Sequence, residues 1–440
     1  MLHKLVLKNV GPAPEMTLEL APRLNLLTGD NGLGKSFLLD AAWWVLTRKW
    51  PHELNPQLTS GYPARPADPK KAATIAFAVD SISKGVAYEA SYSSRDQAWL
   101  GRPGRPWNPG LVLYAHADGG FSVWDPARNY WKKKGSIDVQ ERLPGYVFSP
   151  KDVWDGLTVA VDGKPTLVCK GLLSDWAGWI RERGDSATRM QKVLEKLSPT
   201  GERIEAGPLV RLSVDDARDI PSIRTSYGEA VPILHASSGV RRMVGLAYML
   251  LWSWLEHTRA SELLGDPPAR QVILLFDELE SHLHPRWQRT ILRSLLGVAE
   301  ELHDAASLQI VAATHSPMIL ASSEPLFDAR KDAWFDLDLE GRTVLLRKRT
   351  YQRHGDVSNW LTSEAFDLKQ SYSLEAETAM EQALAVLRER TPTRRAIEDA
   401  DRALKQAALS ELDPFWVRWR QFVERPSSDS SRSGRRRHPS

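Results

Sequence analysis

A glycine-rich segment near the start of the chain has the spacing of a phosphate-binding loop. Residues 29–36 read GDNGLGKS and match GxxxxGK[ST], with a strand pattern before them and a helical pattern after them. Glycines let backbone N–H groups point at phosphate oxygens, and the positive end of the next helix attracts the same anion. We expect Lys35 to reach the β- and γ-phosphates and Ser36 to bind Mg²⁺. The segment predicts a nucleotide site made of Gly29, Asp30, Asn31, Gly32, Leu33, Gly34, Lys35 and Ser36.

Two acidic residues follow an apolar segment much further along the chain. Asp277 and Glu278 come directly after Gln271–Phe276, a continuous apolar run of the kind found in strands covered on both faces. An acid that leaves such a strand beside a phosphate loop can hold Mg²⁺, and a second acid can orient or deprotonate the attacking water. We therefore assign Mg²⁺ binding to Asp277 together with Ser36, and the role of catalytic base to Glu278. Two solvated acids after a core strand are the weaker alternative.

Two more segments have residues that could contact a nucleotide. A third apolar strand pattern ends in THSP, whose histidine, His315, is placed to contact a γ-phosphate. The segment ASSG, with Ser237, Ser238 and Gly239, opens a long helical pattern, and hydroxyls and free amides at such an end can bind an anion. Considered alone, the serines are more simply explained as a helix cap, and the histidine as structural.

Together, the four segments resemble the ATPase head of the ABC superfamily, in the branch of the SMC, RecF and OLD (overcoming lysogenization defect) proteins. GDNGLGKS resembles the Walker A motif of that branch, and ILLFDELESHLHP resembles its Walker B motif and D-loop. ASSG resembles the signature motif, with Ser238 in place of a glycine, and ATHSP resembles the switch-histidine segment. The resemblance implies an α/β fold, with a two-lobed ABC-type head of the P-loop NTPase class, a compact insertion and C-terminal helices.

The resemblance also implies how the cofactors are held. ATP and Mg²⁺ would lie between the Walker A motif of one head and residues Ser237 to Gly239 of another. Activity would then require a homodimer or a higher even oligomer. Gln140 is a weak candidate for the glutamine loop of such heads.

The order of the motifs divides the chain into five regions. Residues 1–50 contain Walker A, 51–232 form an insertion or lid that completes the head, 233–350 contain the other motifs, 351–425 are helical, and 426–440 are a disordered basic tail. The insertion has no sustained heptad repeat, so a compact lid is expected instead of a coiled-coil arm. The C-terminal helices resemble, more loosely, those of compact anti-phage ATPases such as PtuA of the Septu system.

The composition is that of an ordinary globular protein. Of 440 residues, 42% are hydrophobic and 26% charged, and Cys169 is the one cysteine, which excludes an intrachain disulfide and fits a reducing cytoplasm. The longest apolar stretch, Met243 to Leu255, is too short to cross a bilayer. We therefore expect a cytoplasmic protein without a membrane partner. The net charge of +3 equals that of the tail, whose arginines are Arg432, Arg435, Arg436 and Arg437 and whose acid is Asp429.

Two further patterns have both a functional and a structural interpretation. Asp336 and Asp338 superficially resemble the DxD of a TOPRIM nuclease, but a solvated β-hairpin explains the alternation around them better. The tryptophans of the insertion could stack on bases beside Arg102, Arg105 and Arg128, but a core or protein-interface role is favoured. Those tryptophans are Trp99, Trp107, Trp124, Trp131, Trp154, Trp176 and Trp179.

By resemblance, the chain would be an ATP-hydrolysing sensor or regulator in bacterial anti-phage defence. It would act with a separately encoded effector, such as a nuclease or a toxin. One alternative is a RecF-like repair or recombination ATPase that binds DNA. Another is a non-enzymatic, ATP-gated scaffold. DNA or RNA is thus a further candidate partner.

The tail provides a test for nucleic-acid binding. If the four tail arginines contact duplex phosphates, ending the chain at Arg425 should make the slope of log affinity against log salt shallower by roughly 3–4, at about 0.9 per contact. Fluorescence anisotropy with labelled duplex DNA at several salt concentrations, in the presence of ATP, gives both slopes. Equal slopes and affinities would exclude the tail and leave Arg102 and Arg105 as the next candidates.

Overall fold

The computed structural model describes most of the chain. The described residues are 1–81, 85–101, 107–129, 143–161, 163–199, 201–225, 228–302, 306–366, 368–407, 409–410 and 413–424, with only the backbone of 299–302. Gln140, Arg102, Arg105, Trp131 and the tail lie outside them. The chain divides into two units, Met1–Phe366 and Asp367–Ser440.

Unit 1 has a mixed α/β structure, and its described strands form four sheets. In chain order the strands are β1 (Leu2–Lys8), β2 (Glu15–Glu19), β3 (Leu24–Gly29), β4 (Thr74–Asp80), β5 (Gly85–Ser93), β6 (Ala98–Trp99), β7 (Leu111–Ala115), β8 (Phe121–Trp124), β9 (Tyr146–Phe148), β10 (Leu157–Val161), β11 (Lys164–Cys169), β12 (Glu205–Val210), β13 (Ile220–Arg224), β14 (Val231–Pro232), β15 (Gln271–Phe276), β16 (Ser307–Ala313), β17 (Asp332–Glu340) and β18 (Thr343–Arg349).

Helices connect these strands and make up the described part of unit 2. They are α1 (Lys35–Thr47), α2 (Pro51–Leu54), α3 (Pro150–Asp155), α4 (Leu172–Glu182), α5 (Asp185–Leu197), α6 (Ser238–Leu264), α7 (Pro285–Gln288), α8 (Ile291–Leu302), α9 (Pro317–Ser323), α10 (Val357–Leu361), α11 (Leu374–Arg388), α12 (Arg394–Gln406) and α13 (Pro414–Val423). A membrane-spanning helix, which must be both long and apolar, does not occur in the described residues.

The largest sheet brings the sequence motifs to one edge. Its strand order is β18-β17-β3-β16-β15-β7-β8-β9, and β17, β3, β16, β15 and β7 run parallel. Because the carboxyl ends of parallel strands meet at the same edge, the segments after β3, β15 and β16 are neighbours. These are the loop at Gly29, the acids at Asp277 and the segment at Thr314. The prediction of an α/β fold is confirmed.

Helix α1, which follows the phosphate-binding loop, is buried on almost every side. Eleven of its 13 residues are buried. Its side chains share one hydrophobic cluster with Leu5 and Ile75 of the sheet β2-β1-β4-β5-β6 and with Leu27 and Val311 of the largest sheet. The helix thus lies between two sheets, which explains why it is apolar around its whole circumference.

The opposite face of the largest sheet packs against α6 and α8, and α4 and α5 contribute side chains to the same hydrophobic cluster. One cluster there includes Trp176, Met190, Leu251, Leu274 and Ile310. Fully burying side chains of this kind stabilises a fold by roughly 1.5–3 kcal/mol each. The helix that begins with the signature residues is therefore anchored to the same sheet as α1, but from the other side.

The insertion contributes to both cores. Its strands β7 and β8 belong to the largest sheet. Its helices α4 and α5 are separate because Arg183 ends α4 with a left-handed φ of +52°. Four insertion tryptophans, at 107, 124, 176 and 179, are buried, which confirms the core interpretation for them. Arg128 lies over the rings of Tyr146 and Trp252, within unit 1.

The hairpin predicted around Asp336 exists, but its predicted exposure is wrong. Strands β17 and β18 pair antiparallel. The first six residues of β17, Asp332 to Leu337, are nevertheless buried without alternation. The reason is that both faces of β17 pack into cores: Ala333, Phe335 and Leu337 belong to the cluster around α1, and Trp334 belongs to the cluster on the other side of the sheet.

Unit 2 has a small core of its own. Ser373, Thr393 and Asp413 cap α11, α12 and α13 with their side chains. Trp416 and Trp419 of α13 cluster with side chains of α11 and α12, so the apolar face of this helix packs within the unit. Val423, near the end of the helix, is 45% exposed.

Candidate nucleotide-binding site

The loop between β3 and α1 has the backbone shape that a phosphate site requires. Gly29, Gly32 and Gly34 have φ values of +126°, +79° and +104°, which side-chain-bearing residues rarely adopt. A Cβ on Gly29 would lie 2.2 Å from the carbonyl oxygen of Leu337, and a Cβ on Gly34 would lie 2.7 Å from the Pro12 ring. Backbone conformation therefore requires all three glycines, and close packing also requires two of them.

Lys35 is held at the centre of this loop. Its Nζ donates to the carbonyl oxygens of Gly29 (2.7 Å) and Asp30 (2.8 Å). Burial lowers the pKa of Lys35 to about 8, although Asp277 and Glu280 favour its charged form. A partly desolvated ammonium interacts strongly with an anion, so this position suits the recognition of phosphate oxygens.

Ser36 and Asp277 are in direct contact. The Ser36 hydroxyl donates to Asp277 Oδ1 at 2.9 Å. Asp277 is 6% exposed, and burial raises its pKa to about 6 against the opposing effects of Ser36 and Lys35. A hydroxyl and a carboxylate are oxygen ligands suited to Mg²⁺, which completes its shell with phosphate and water oxygens. The two residues therefore fit this ion. Among the described residues, no group of three His, Cys, Asp or Glu side chains could hold a metal ion.

The chain turns sharply after Asp277. Glu278 is exposed and has a φ of +49°, a left-handed conformation that costs a non-glycine residue roughly 1–2 kcal/mol. The turn is tied to β16 because the Leu279 N–H donates to the Ala313 carbonyl at 3.1 Å. The Glu278 carboxylate lies close enough to Lys35 and His315 to influence their pKa values. It is thus an accessible carboxylate beside the loop.

Glu280, which was not predicted from the sequence, joins the Walker B and switch-histidine segments. One of its oxygens accepts the Thr314 hydroxyl at 2.6 Å, and the other accepts the His315 backbone N–H. His315 is half-buried, and burial followed by the charge of Lys35 lowers its pKa, so the ring is neutral at pH 7. The sequence DELE does not distinguish Glu280 from Glu278, because Thr314, the hydrogen-bond partner of Glu280, lies 34 residues further along the chain.

The segment after β7 borders the site from the other side. The Asp277 N–H donates to the Ala115 carbonyl at 3.0 Å, and Arg242 Nη2 donates to the next carbonyl, of His116, at 2.6 Å. Burial, reinforced by Arg242, lowers the pKa of His116 to about 3, so this ring is neutral. Neither contact was predicted, because no motif marks the end of β7.

The signature residues lie in a separate groove. Ser237 caps α6 by accepting the Val240 N–H at 3.4 Å. A Cβ on Gly239 would lie 2.7 Å from the carbonyl oxygen of His282, so the signature residues pack closely on the D-loop. A groove of about 600 Å³ is lined by Ser237, Ser238, Gly239 and the D-loop. The structure therefore brings Walker A, Asp277, Glu278 and His315 together, whereas the groove that the signature residues line contains none of these four.

Mg²⁺-dependent nucleotide binding should weaken as the pH falls through about 6, the raised pKa of Asp277. Below this pH a proton competes with Mg²⁺ for the same oxygen, so the Mg²⁺ concentration for half-maximal binding should rise about tenfold per pH unit. Fluorescence of a MANT-labelled, non-hydrolysable ATP analogue between pH 5 and 7.5 measures this. Asp277→Asn, which has no carboxyl to titrate, is the control and should show only the smaller dependence that comes from the terminal phosphate of the nucleotide. An equal dependence in the two proteins would contradict the assignment.

Two protein-family models match separate parts of the chain. Residues 4–92 match the model described as "AAA domain". Residues 180–321 match "AAA domain, putative AbiEii toxin, Type IV TA system". The first match contains the Walker A segment, and the second contains the signature, Walker B and switch-histidine segments.

The chain is also similar to curated proteins and to several solved structures. It is 28% identical over 141 residues to "Retron Vc95 probable ATPase" of Vibrio cholerae serotype O1 biovar El Tor, which covers 30% of this chain and 24% of that relative. The chain thus spans about a quarter of the length of the relative it matches.

An SMC head bound to the C-winged helix domain of ScpA is 13% identical, with 79% of this chain and 97% of that chain covered and a TM-score of 0.41. The SMC head domain from Thermotoga maritima is 15% identical, with coverages of 80% and 99% and a TM-score of 0.38. The recombination mediator protein RecF is 14% identical, with coverages of 79% and 98% and a TM-score of 0.38.

The family matches contain the motifs that meet at one edge of the largest sheet. The curated relative that shares part of this sequence is itself described as a probable ATPase. The chain is therefore similar to AAA-domain proteins in the two segments that contain its nucleotide-site motifs.

Proposed function

We propose that the chain hydrolyses ATP in a head-to-head dimer, with each ATP held between Walker A of one chain and Ser237 to Gly239 of the other. The observation that carries this proposal is the division of the site. Walker A, Walker B and His315 meet at one edge of the sheet, whereas the signature residues line a separate groove on the D-loop. A second head supplies the missing half to each site.

In this proposal each residue near the loop has a separate task. Lys35 binds the β- and γ-phosphates, and Ser36 and Asp277 hold Mg²⁺, which supplies charge stabilisation at the phosphates. Glu278 accepts a proton from the attacking water, and its exposure at the sharp turn supports this role. His315 contacts the γ-phosphate as a neutral ring, which Glu280 orients through the backbone N–H.

The signature groove is mechanically tied to the D-loop. Gly239 lies so close to the His282 carbonyl that one segment cannot move without the other. Ser238, which replaces the usual glycine, is exposed, so its hydroxyl is available to a phosphate of the facing head. Docking of a second head on this groove would therefore act on the D-loop and, through it, on the acids after β15.

Glu278→Gln should retain ATP and accumulate as a dimer. The amide keeps the shape of the side chain but cannot accept the proton, and losing such a base slows reactions by about 10²–10⁴-fold. Phosphate release measures the rate, and light scattering with ATP and Mg²⁺ measures the mass. Lys35→Ala, which should neither bind ATP nor dimerise, is the control. Normal hydrolysis by Glu278→Gln would remove Glu278 from its role, and heads that never pair would refute the dimer.

We further propose that this ATPase is a cytoplasmic sensor or regulator in bacterial anti-phage defence, acting with a separately encoded nuclease or toxin. Two findings support the proposal. One is the similarity to a probable retron ATPase. The other is the match to a protein-family model whose description names a toxin and a toxin–antitoxin system. Both favour defence over the RecF-like repair alternative. Sequencing the genes beside the locus and identifying proteins that co-purify with the chain would test the partner directly.

The purified chain alone should not cut DNA or RNA. Asp336 and Asp338, the pair that resembles a nuclease motif, already have cationic partners: Arg349 lies 3.0 Å from Asp336 and Arg347 lies 3.4 Å from Asp338. Incubation with plasmid, linear DNA and tRNA under Mg²⁺ and Mn²⁺ tests this expectation. Cleavage that survives purification and disappears when both aspartates are changed to alanine would make this chain its own effector.

A further inference from the structure

A buried polar network lies directly behind the phosphate-binding loop. Thr28 precedes Gly29 and is fully buried. Its hydroxyl donates to Asp336 Oδ1 at 2.8 Å and accepts the Trp334 Nε1–H at 2.7 Å. The last buried side chain before the loop is therefore held by two residues of the neighbouring strand β17.

Asp336 is a charged residue in the interior. It is 2% exposed, and its Oδ2 accepts hydrogen bonds from Arg349 Nη2 (3.0 Å) and Nε (3.3 Å). Arg349 Nη1 in turn donates to Glu364 at 3.3 Å, which orients the guanidinium. Burial raises the pKa of Asp336, whereas the bonds from Thr28 and Arg349 oppose that rise. A buried carboxylate is costly unless it is paired in this way, so both partners constrain its position.

The same strand also touches the loop through its backbone. In the parallel pairing of β17 with β3, Asp336 is opposite Thr28 and Leu337 is opposite Gly29. The Leu337 carbonyl leaves no room for a Cβ on Gly29, and the Gly29 carbonyl accepts a bond from Lys35. A small displacement of β17 would thus be transmitted to Gly29 and then to the Lys35 ammonium.

We infer that Asp336 and Arg349 are positioning residues for the nucleotide loop. Their ion pair holds Thr28, and through it Gly29 and Lys35, in the geometry that binds the phosphates of a nucleoside triphosphate. Asp336, one of the two acids that resemble a nuclease motif, therefore supports the ATP site. This inference rests on the proposed function only in requiring that the loop binds ATP.

A matched ion pair on the same strand makes the inference testable. Asp332 is also buried and paired with an arginine, Arg23, whose Nε lies 2.9 Å from Asp332 Oδ1. It sits opposite Leu24, at the end of β3 remote from the loop. Asp332→Asn is therefore the control for Asp336→Asn: each change removes one buried charge between β17 and its surroundings, but only one change is next to the loop.

The measurements are the Kd for MANT-ATP with Mg²⁺ and the Tm of each variant of the full chain. Asp336→Asn should raise the Kd about tenfold, the low end of what losing an outer partner costs a binding site. Both variants should have a similarly lowered Tm. Asp332→Asn should nevertheless keep the Kd within about twofold of that of the unmodified chain, because distant sites act independently. In steady-state hydrolysis, KM should rise in Asp336→Asn more than kcat falls.

Variants of Thr28 give a second test that does not alter any charge. Thr28→Val keeps the shape but removes the hydroxyl and should weaken binding, whereas Thr28→Ser should restore most of it. Equal Kd changes in the two aspartate variants, or normal binding by Thr28→Val, would refute the inference. If Asp336→Asn does not fold, the Thr28 pair decides. An unmodified chain that fails to bind MANT-ATP would instead refute the proposed function and this inference with it.

Discussion

The confinement of α1 between two sheets is the constraint on which the nucleotide site depends. Lys35 and Ser36 occupy the first turn of this helix, and almost every residue after them is buried. Because both sides are close-packed, the helix cannot rotate or slide without opening a core. The position of Ser36 relative to Asp277 therefore follows from packing, and the 2.9 Å contact between them is built into the fold. Residues with no chemistry of their own, such as Leu5 and Ile75, hold the loop in place.

The same packing leaves the site with charges that are poorly solvated. Burial moves the pKa values of Lys35 and Asp277 towards each other, to about 8 and about 6. Glu278 and Glu280 add negative charge beside Lys35. Such a site gains most from a ligand that brings both an anion and a cation, because each buried charge then meets an opposite one. A nucleotide accompanied by Mg²⁺ meets this requirement, whereas either component alone would leave one charge unpaired.

The two faces of the largest sheet separate the two halves of the proposed catalytic site. Leu27 and Val311 point towards α1, whereas Leu274 and Ile310 point towards α6. Side chains of neighbouring residues on a strand point to opposite faces, so one sheet supports both helices, one on each side. The signature residues at the start of α6 consequently pack on the D-loop of their own chain. The groove that they line there contains no Walker A residue, which supports the proposal that a second chain completes each site.

The phosphate-binding loop could be predicted from sequence because its requirements are local. Glycines with positive φ, a lysine and a serine at a helix start, and a strand pattern on the other side all lie within about ten residues, and each leaves a mark on residue type. The acids after β15 were predictable for the same reason, since a continuous apolar run marks a strand covered on both faces. The contacts of Glu280 and Asp336 had no such signal. Their carboxylates look like those of any solvated acid, and only the pairing of β15 with β16 and of β17 with β3 gives them buried partners. Local backbone conformation was thus determined by the sequence alone, whereas burial, and with it the charge and partner of each acid, was decided by which strands became neighbours.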